Sequence, residues 1–179
     1  MIEIEKKYRL TPDQKKAILS RLRSLGLRRI KKEFEENILY TGPNLNIRSA
    51  VVRLRKVGER TTLTYKKRFA SASAIKRQLE EETDVSNAGA VQAILQHLGL
   101  TPSVVYEKRR QTWRMGAAEL VIDELPFGLF MEIEGTAAEI RRIEKELNLN
   151  GVRPEKQTYP QLAKKYGTSK GKIIESRFR

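Results

Sequence analysis

The N-terminal stretch Ile2-Glu3-Ile4-Glu5-Lys6-Lys7-Tyr8 places a charged residue at every second position. Side chains of an extended chain point alternately to opposite faces, so the pattern predicts a strand with Glu3, Glu5 and Lys7 on one face. Ile2, Ile4 and Tyr8 would hold most of the other face. Two carboxylates beside an ammonium can hold a divalent cation and a phosphate together, although a charged strand face more often simply meets water.

The composition predicts a single globular domain. The chain has 179 residues, of which 39% are hydrophobic and 32% are charged. No run of eighteen apolar residues occurs, and the first predicted strand begins at Ile2, so neither a membrane span nor a signal peptide is expected. The chain lacks cysteine, which excludes disulfides, thiolate nucleophiles and zinc–thiolate sites and makes the cytoplasm the expected location. The only histidine, His97, falls in a predicted helix, which disfavours Ser-His-Asp chemistry.

The formal net charge of +14 predicts a polyanionic partner. One interpretation is weak, non-specific and salt-sensitive RNA binding by the basic surface. The sharper interpretation is that some of the excess Lys and Arg side chains line a site for a highly charged phosphate ligand. The oligomeric state is left open by the sequence, with a homodimer as one option.

Period-2 segments dominate the chain and predict an α+β fold. Capping boxes at Thr11 and Thr136 start two helices, and Gly26 and Gly99 follow predicted helix ends. The predicted strands lie at about 2–8, 28–41, 50–57, 60–69, 75–85, 103–115, 118–125 and 129–135, with further helices at about 87–98 and 159–166. Eight antiparallel strands can close into a barrel flanked by helices. This predicts a domain over residues 1–166 and a basic, flexible tail over 167–179.

The predicted strands repeat the charged alternation of the first one. The pairs that share a face are Glu3/Glu5, Arg53/Arg55, Lys66/Arg68, Glu80/Glu82, Lys108/Arg110 and Glu132/Glu134, with Asp123 following Ile122. Any one pair is typical of a solvated face. If the sheet closes, however, one face is enclosed, and so many charges are tolerated there only with water, metal ions and a polyanion. The sequence therefore predicts a wet tunnel.

This ordered series resembles the CYTH superfamily, the triphosphate tunnel metalloenzymes. The resemblance covers residues 1–166 and is carried by Glu3-x-Glu5-x-Lys7, Glu36-Asn37 with Tyr40, Val52-Arg53-Leu54-Arg55, Leu63-Thr64-Tyr65-Lys66, Glu80/Glu82, Lys108-x-Arg110, Asp123-Glu124, Phe130-Met131-Glu132-Ile133-Glu134-Gly135 and Tyr159-Pro160-Gln161-Leu162. It implies an eight-stranded antiparallel tunnel that binds a triphosphate with Mg²⁺ or Mn²⁺.

The resemblance also implies roles for individual residues. Those expected to hold metal are Glu3, Glu5, Asp123, Glu132 and Glu134; those expected to bind triphosphate are Arg53, Arg55, Lys66, Lys108 and Arg110; those expected to act in catalysis are Lys7, Glu80 and Glu82. Two departures from the family pattern exist. Gln78 stands where many relatives carry a charged residue, and the run Glu80-Glu81-Glu82 leaves the register open by one, with Glu81 as the alternative inward residue.

Three functions fit this pattern. The first is metal-dependent hydrolysis of inorganic triphosphate, a nucleoside triphosphate such as ATP, or another organic triphosphate. The alternative is a class IV adenylate cyclase, which converts ATP to cAMP and pyrophosphate and needs a base pocket at the tunnel mouth. The third is a non-catalytic binder of polyphosphate or RNA, which would gain nothing from the acidic pairs. Hydrolysis is preferred because it requires less than a positioned nucleoside.

Overall fold

The computed structural model describes residues 2–70 and 74–179, which form ten strands and four helices. The strands are β1 (Ile2–Leu10), β2 (Lys31–Thr41), β3 (Ala50–Val57), β4 (Arg60–Arg68), β5 (Ile75–Val85), β6 (Thr101–Met115), β7 (Ala118–Leu125), β8 (Gly128–Glu134), β9 (Thr168–Lys170) and β10 (Ile173–Ser176). The helices are α1 (Pro12–Ser24), α2 (Ala88–His97), α3 (Ala137–Glu146) and α4 (Tyr159–Tyr166). None of the helices in this part of the chain is long and apolar enough to cross a membrane.

The first eight strands form a closed antiparallel barrel, which confirms the predicted fold. Their order around the barrel is β2-β3-β4-β5-β1-β8-β7-β6, and β6 pairs back onto β2. This closing seam runs from Lys31 opposite Thr112 to Thr41 opposite Thr101. Because side chains alternate along every strand, closure divides each strand into an enclosed face and an outer face.

The hydrophobic core lies outside the barrel, between its outer face and the helices. Ile18 and Leu22 of α1 and Ile140 and Ile143 of α3 are buried against outward side chains such as Trp113. Burial of each such side chain stabilises the fold by about 2 kcal/mol. The apolar faces of the strands are therefore used by the helices, and the charged faces are left to line the interior.

The helices begin where the sequence predicts. Thr11 caps α1 in a capping box with Gln14, and Thr136 caps α3 in one with Glu139. Thr158 caps α4. Each threonine side chain accepts a hydrogen bond from a backbone N–H that the first helical turn leaves unpaired. Thr158 thereby fixes the start of α4 next to the barrel.

The segment after α4, for which the sequence predicts a flexible tail, contains the two short strands β9 and β10. β10 adds to the sheet in parallel with β6, with Ile174 opposite Val104 and Ser176 opposite Tyr106. It finds a free edge there, because β7 pairs with β6 from Arg109 onward. A Cβ atom at Gly167 would lie 2.7 Å from the carbonyl oxygen of Glu175, so only glycine permits the close approach between α4 and β10.

Residues 177–178, which we call the C-terminal strap, continue from β10 onto the outside of the seam. Arg177 contacts Glu36 of β2 and lies 2.9 Å from Glu107 of β6. The Phe178 amide donates to Glu107 at 2.8 Å. Sequence patterning missed this arrangement because two isoleucines are too short an apolar run to stand out in a basic segment.

Candidate functional site inside the barrel

The barrel encloses a cavity of about 250 Å³ that is lined mostly by charged side chains. The predicted site residues that line it are Glu3, Glu5, Lys7, Arg53, Arg55, Lys66, Glu80, Glu82, Lys108, Arg110, Glu132 and Glu134. Asp123 is the predicted residue that lies outside this lining. Three side chains of the lining come from outside the barrel strands, Thr158, Tyr159 and Pro160 at the start of α4. One cavity therefore brings together residues spread over most of the chain.

Strand register explains why these residues meet. Lys7 of β1 lies opposite Glu132 of β8, and Glu5 lies opposite Glu134. On β5 the open question of register is settled, because Lys66 lies opposite Glu80 and both line the cavity. Glu80 and Glu82 line the cavity, where Glu80 is buried and Glu82 is exposed to solvent, and Glu81 does not belong to the lining.

Four cations, Arg53, Arg55, Lys108 and Arg110, form what we call the basic wall. They surround Glu35, which is 1% exposed and lies 3.2 Å from Lys108, 3.5 Å from Arg55 and 3.7 Å from Arg110. Burial opposes ionisation of Glu35, but these cations hold its pKa well below the ordinary value. Burial and the Arg110 charge lower the pKa of Lys108 to about 8. The buried carboxylate thus holds the wall together.

Arg110 is fixed by two carboxylates. Its Nε and Nη2 donate to the two oxygens of Asp123 at 2.8 and 2.6 Å, and Nη2 also donates to Glu132 at 2.7 Å. Asp123 is fully buried, and its Oδ2 accepts a further hydrogen bond from the Tyr159 hydroxyl at 2.8 Å. This geometry favours a role for Asp123 in orienting Arg110 over the predicted role as a metal ligand.

Four carboxylates, Glu3, Glu5, Glu119 and Glu134, form what we call the acidic wall. Glu134 lies directly opposite Glu5 on β1 and opposite Glu119 on β7. Like charges directly opposite each other on neighbouring strands repel. Burial and the charges of Glu3, Glu119 and Glu5 raise the pKa of Glu134 to about 7. The wall therefore holds more negative charge than its surroundings balance.

Lys66 links the acidic wall to β5. Its ammonium donates to Glu3 at 2.8 Å and contacts Glu80. Gln78, the departure from the family pattern, donates to the same Glu3 oxygen at 2.9 Å. Burial and a hydrogen bond with Glu3 raise the pKa of Glu80 to about 7. Burial opposes ionisation of Glu3 as well, but its contacts with Glu80 and Lys66 outweigh burial and lower the pKa of Glu3. Glu80 is therefore the partner that takes up a proton as the pH falls through about 7, and Glu3 stays ionised.

Lys7 is buried in the middle of the cavity. Its ammonium lies 3.2 Å from Glu132, 3.5 Å from the carbonyl oxygen of Gln157 and 3.6 Å from the centre of the Tyr159 ring. Burial raises the pKa of Glu132, but Lys7 and Arg110 outweigh it and hold that pKa well below the ordinary value. Glu132 thus contacts both Lys7 and Arg110, and through Arg110 it connects Lys7 to the basic wall.

The acidic wall fits a divalent cation by its chemistry. Its donors are carboxylate oxygens, which Mg²⁺ and Mn²⁺ prefer, and the raised pKa of Glu134 reflects a shortage of positive charge. Within residues 2–70 and 74–179, no three carboxylates converge into a ready-made metal cage. Mg²⁺ commonly takes one or two carboxylates together with phosphate oxygens and water, so such a cage is not required.

The sequence missed Glu35 and Glu119. Both continue the period-2 alternation of their strands, Glu35 with Glu33 and Asn37, and Glu119 with Val121 and Asp123. The alternation on β2 is a signal that could identify Glu35. It is hard to recognise in the sequence because Glu35 and Glu36 are adjacent acids, so the sequence alone does not show which of the two faces the interior.

Comparisons with known proteins identify the family of the chain. The family model of the CYTH domain matches residues 1–157. A Methanocaldococcus jannaschii protein named putative adenylate cyclase MJ0240 is 28% identical over 151 residues, which cover 82% of this chain and 84% of that protein.

Solved structures share the fold. The PH1012 protein of Pyrococcus horikoshii superposes with a TM-score of 0.77 at 22% identity, over 89% of this chain and 98% of that one. HpAC1 of Hippeastrum, named putative adenylyl cyclase and described as revealing a dominant triphosphatase activity, has a TM-score of 0.68 at 16% identity, over 90% of this chain and 93% of that one. Structural likeness at these identities concerns the fold alone. The match over residues 1–157 goes further, and the chain belongs to the CYTH domain family.

Proposed function

We propose that this protein is a metal-dependent triphosphatase that hydrolyses a triphosphate held inside the barrel. The observation that carries the proposal is the meeting of an acidic wall, a basic wall and Lys7 in one cavity. A site for a polyanion alone would need only the cations. A site that also concentrates carboxylates is suited to a polyanion with its metal ion.

The basic wall would bind the phosphate chain. Arginine forks match phosphate oxygens in pairs, and a lysine acts as a point charge. Glu35 and Asp123 hold Arg55, Lys108 and Arg110 in place before any ligand arrives. Positions fixed in advance reduce the entropy lost on binding and the reorganisation needed during the reaction.

The acidic wall would hold Mg²⁺ or Mn²⁺ through Glu3, Glu5 and Glu134, with Glu119 beside them and Glu132 next along β8. When bound, such an ion neutralises phosphate charge as it develops on the reacting oxygens. Lys66 already contacts Glu3, so its ammonium lies where a phosphate bound to the cations would approach a metal ion bound to the acidic wall.

Glu80 is placed to act as the general base, with Glu82 beside it. A carboxyl with a pKa of about 7 is half ionised at neutral pH and can accept a proton. In the proposed step a water oxygen bonds to the terminal phosphorus, and the bond from phosphorus to the bridging oxygen breaks. The water proton passes to Glu80, and Lys7 stabilises negative charge on the terminal phosphoryl group. Orthophosphate and the shortened chain leave.

A class IV adenylate cyclase is the second candidate. A smaller, more apolar cavity of about 50 Å³ adjoins the main one and shares Leu39, Val51 and Pro160 with it. Ile47 and Val104 add to its apolar lining, and in a cyclase part of a base or another organic group would contact this side. The name of the M. jannaschii relative supports the same candidate. In this reaction the ribose 3′-hydroxyl would attack the α-phosphorus and pyrophosphate would leave.

Product analysis separates the two reactions. Purified protein is incubated with inorganic triphosphate and, separately, with ATP, each with Mg²⁺, Mn²⁺ or EDTA. We expect orthophosphate that depends on metal and disappears with EDTA. Formation of cAMP and pyrophosphate from ATP, without orthophosphate, would replace the triphosphatase by the cyclase.

Matched variants connect the activity to the cavity. Glu134→Gln removes a carboxylate of the acidic wall, whereas Glu124→Gln removes one on the outer face that pairs with Arg109 at the surface. We expect Glu134→Gln to lose most metal-dependent turnover and Glu124→Gln to keep it. Equal activity of a folded Glu134→Gln protein would exclude the acidic wall as the metal site, and metal-independent binding without product would favour a polyphosphate or RNA binder.

A further inference from the structure

Tyr159 reaches into the barrel from outside it. It is the first residue of α4, lies beyond the residues matched by the CYTH family model, and is 6% exposed. Its ring packs edge-on against Phe130 at a centroid distance of 5.3 Å. Its two ends contact two different charged groups of the cavity.

The ring faces Lys7. The ammonium lies 3.6 Å from the ring centre and 3.2 Å from the Glu132 carboxylate. An aromatic face attracts a cation through its quadrupole and leaves the full positive charge in place. A carboxylate in place of the ring would be a second anion beside the ammonium, in addition to Glu132. The ring can therefore hold Lys7 from that side and leave more of its positive charge for a phosphate.

The hydroxyl faces Asp123. It donates to Oδ2 at 2.8 Å, while the same carboxylate accepts two hydrogen bonds from Arg110. Burial and the Asp123 charge raise the pKa of Tyr159 well above its ordinary value, so the hydroxyl remains a donor at every physiological pH. The chain of contacts thus runs from the hydroxyl through Asp123 to Arg110.

We propose that Tyr159 is a positioning residue with two separable tasks, in which its ring places the Lys7 ammonium and its hydroxyl places the Arg110 guanidinium. The inference rests on the proposed function, because it concerns how that site holds and turns over its triphosphate. The ring acts on the group assigned to the reacting phosphoryl oxygen and should affect kcat. The hydroxyl acts on a binding group and should affect KM.

Two substitutions separate the tasks. Tyr159→Phe keeps the ring and removes the hydroxyl, and we expect KM for inorganic triphosphate to rise about 5-fold or more with kcat within twofold. Tyr159→Leu also removes the ring, and we expect kcat to fall a further 5- to 30-fold, as the loss of a buried cation–π contact implies (about 1–2 kcal/mol). Tyr166→Leu is the control, since Tyr166 lies on the same helix, is 51% exposed and stacks on Phe127 outside the cavity.

A double-mutant cycle distinguishes positioning from general destabilisation. In a Lys7→Met background, Tyr159→Leu should lower kcat by less than twofold, because the group it positions is absent. An equally large loss in both backgrounds would overturn the ring assignment. A Tyr159→Phe protein with unchanged KM would overturn the hydroxyl assignment.

Calorimetric affinity for inorganic triphosphate is measured on the same proteins, with thermal melting as the folding check. This readout stays informative if the chain binds triphosphate without hydrolysing it, so failure of the proposed function is distinguishable from failure of the inference. Tyr159→Phe is the reference here, because both variants lack the hydroxyl and only Tyr159→Leu lacks the ring. A loss of affinity from Tyr159→Phe to Tyr159→Leu that persists in the Lys7→Met background would overturn the link between the ring and Lys7. A loss that vanishes there would support it.

Discussion

The basic and acidic walls of the cavity hold like charges together by different means. In the basic wall, Glu35 and Asp123 are buried among the cations and lie within hydrogen-bonding or ion-pair distance of them. In the acidic wall, Glu134 faces Glu5 and Glu119 across both neighbouring strands, and its pKa is raised to about 7.

The difference teaches which wall needs a ligand. The basic wall is stabilised from behind by its own carboxylates, so it can be preorganised in the free protein. The acidic wall has a cation at two of its members, Lys66 at Glu3 and Lys76 at 3.6 Å from Glu5, while Glu134 remains costly to ionise. A bound cation would relieve that cost, whereas removal of a carboxylate would relieve it without a cation. Each of the following predictions tests this contrast.

The largest effect is expected from Glu35→Gln. Neutralising a buried carboxylate among several cations leaves their charges uncompensated, and we expect the free energy of unfolding to fall by about 3–5 kcal/mol. Urea denaturation measures it. Glu33→Gln on the same strand is the control, because Glu33 lies 4.0 Å from a half-exposed Arg60 and should cost less than about 1 kcal/mol. Equal losses in the two variants would contradict a basic wall organised by Glu35.

The next effect concerns Arg110→Lys. Lysine cannot reproduce the paired hydrogen bonds to Asp123 together with the bond to Glu132, so the cation should be misplaced. We expect kcat/KM for inorganic triphosphate to fall by about 10- to 100-fold. The neighbouring Arg109→Lys, on the outer face, should stay within twofold. Steady-state kinetics of both proteins make the comparison, and a similar loss in each would remove the special role of Arg110.

Metal affinity should depend on pH through the acidic wall. Below the pKa of about 7 at Glu134, a cation must displace a proton, so Mn²⁺ affinity should rise by about tenfold per pH unit up to pH 7 and then level off. Titration calorimetry from about pH 5.5 to about pH 8.5, which brackets the pKa of Glu134, measures this slope. Glu134→Gln should flatten it, and Glu80→Gln should retain most of it. A slope unaffected by Glu134→Gln would place the titrating ligand elsewhere.

The smallest effect is a gain in stability. The pKa of Glu134 is higher in the folded chain than its ordinary value, so its stabilising contribution exists at acidic pH and is lost as pH rises through about 7. Above that pH the ionised group destabilises the metal-free protein. Glu134→Gln should therefore raise the free energy of unfolding at pH 8 by about 1 kcal/mol, a value reduced for solvent screening at this exposed carboxylate, and leave it unchanged at pH 5. Chemical denaturation at both pH values checks the sign.

Much of the barrel could be predicted from alternation alone. Glu3, Glu5 and Lys7 share a face because a strand has a period of two, and a charged face that recurs on nearly every strand indicates an enclosed polar interior. The capping boxes likewise fixed two helix starts, because the residues that cap a helix are local in sequence.

The remaining features depend on contacts between distant residues. The orienting role of Asp123 becomes visible only when Arg110 and Tyr159 are brought to it from another strand and a helix. The strand β10 exists because β6 has a free edge, which is a property of the assembled sheet. Local pattern cannot report either feature, since neither is encoded in the residues beside it.

The C-terminal strap has a consequence for the order in which the barrel assembles. The seam joins β2 to β6, and Arg177 contacts Glu36 on the first of these strands and Glu107 on the second. Arg177 and Glu36 are 141 residues apart in the sequence. Contacts of such long separation form slowly, because much chain entropy is lost before they stabilise anything. During synthesis both seam strands precede the strap, so the seam can close first on its own backbone hydrogen bonds. The contacts of the strap then form last, and they slow the opening of the β2–β6 seam more than they speed its closure.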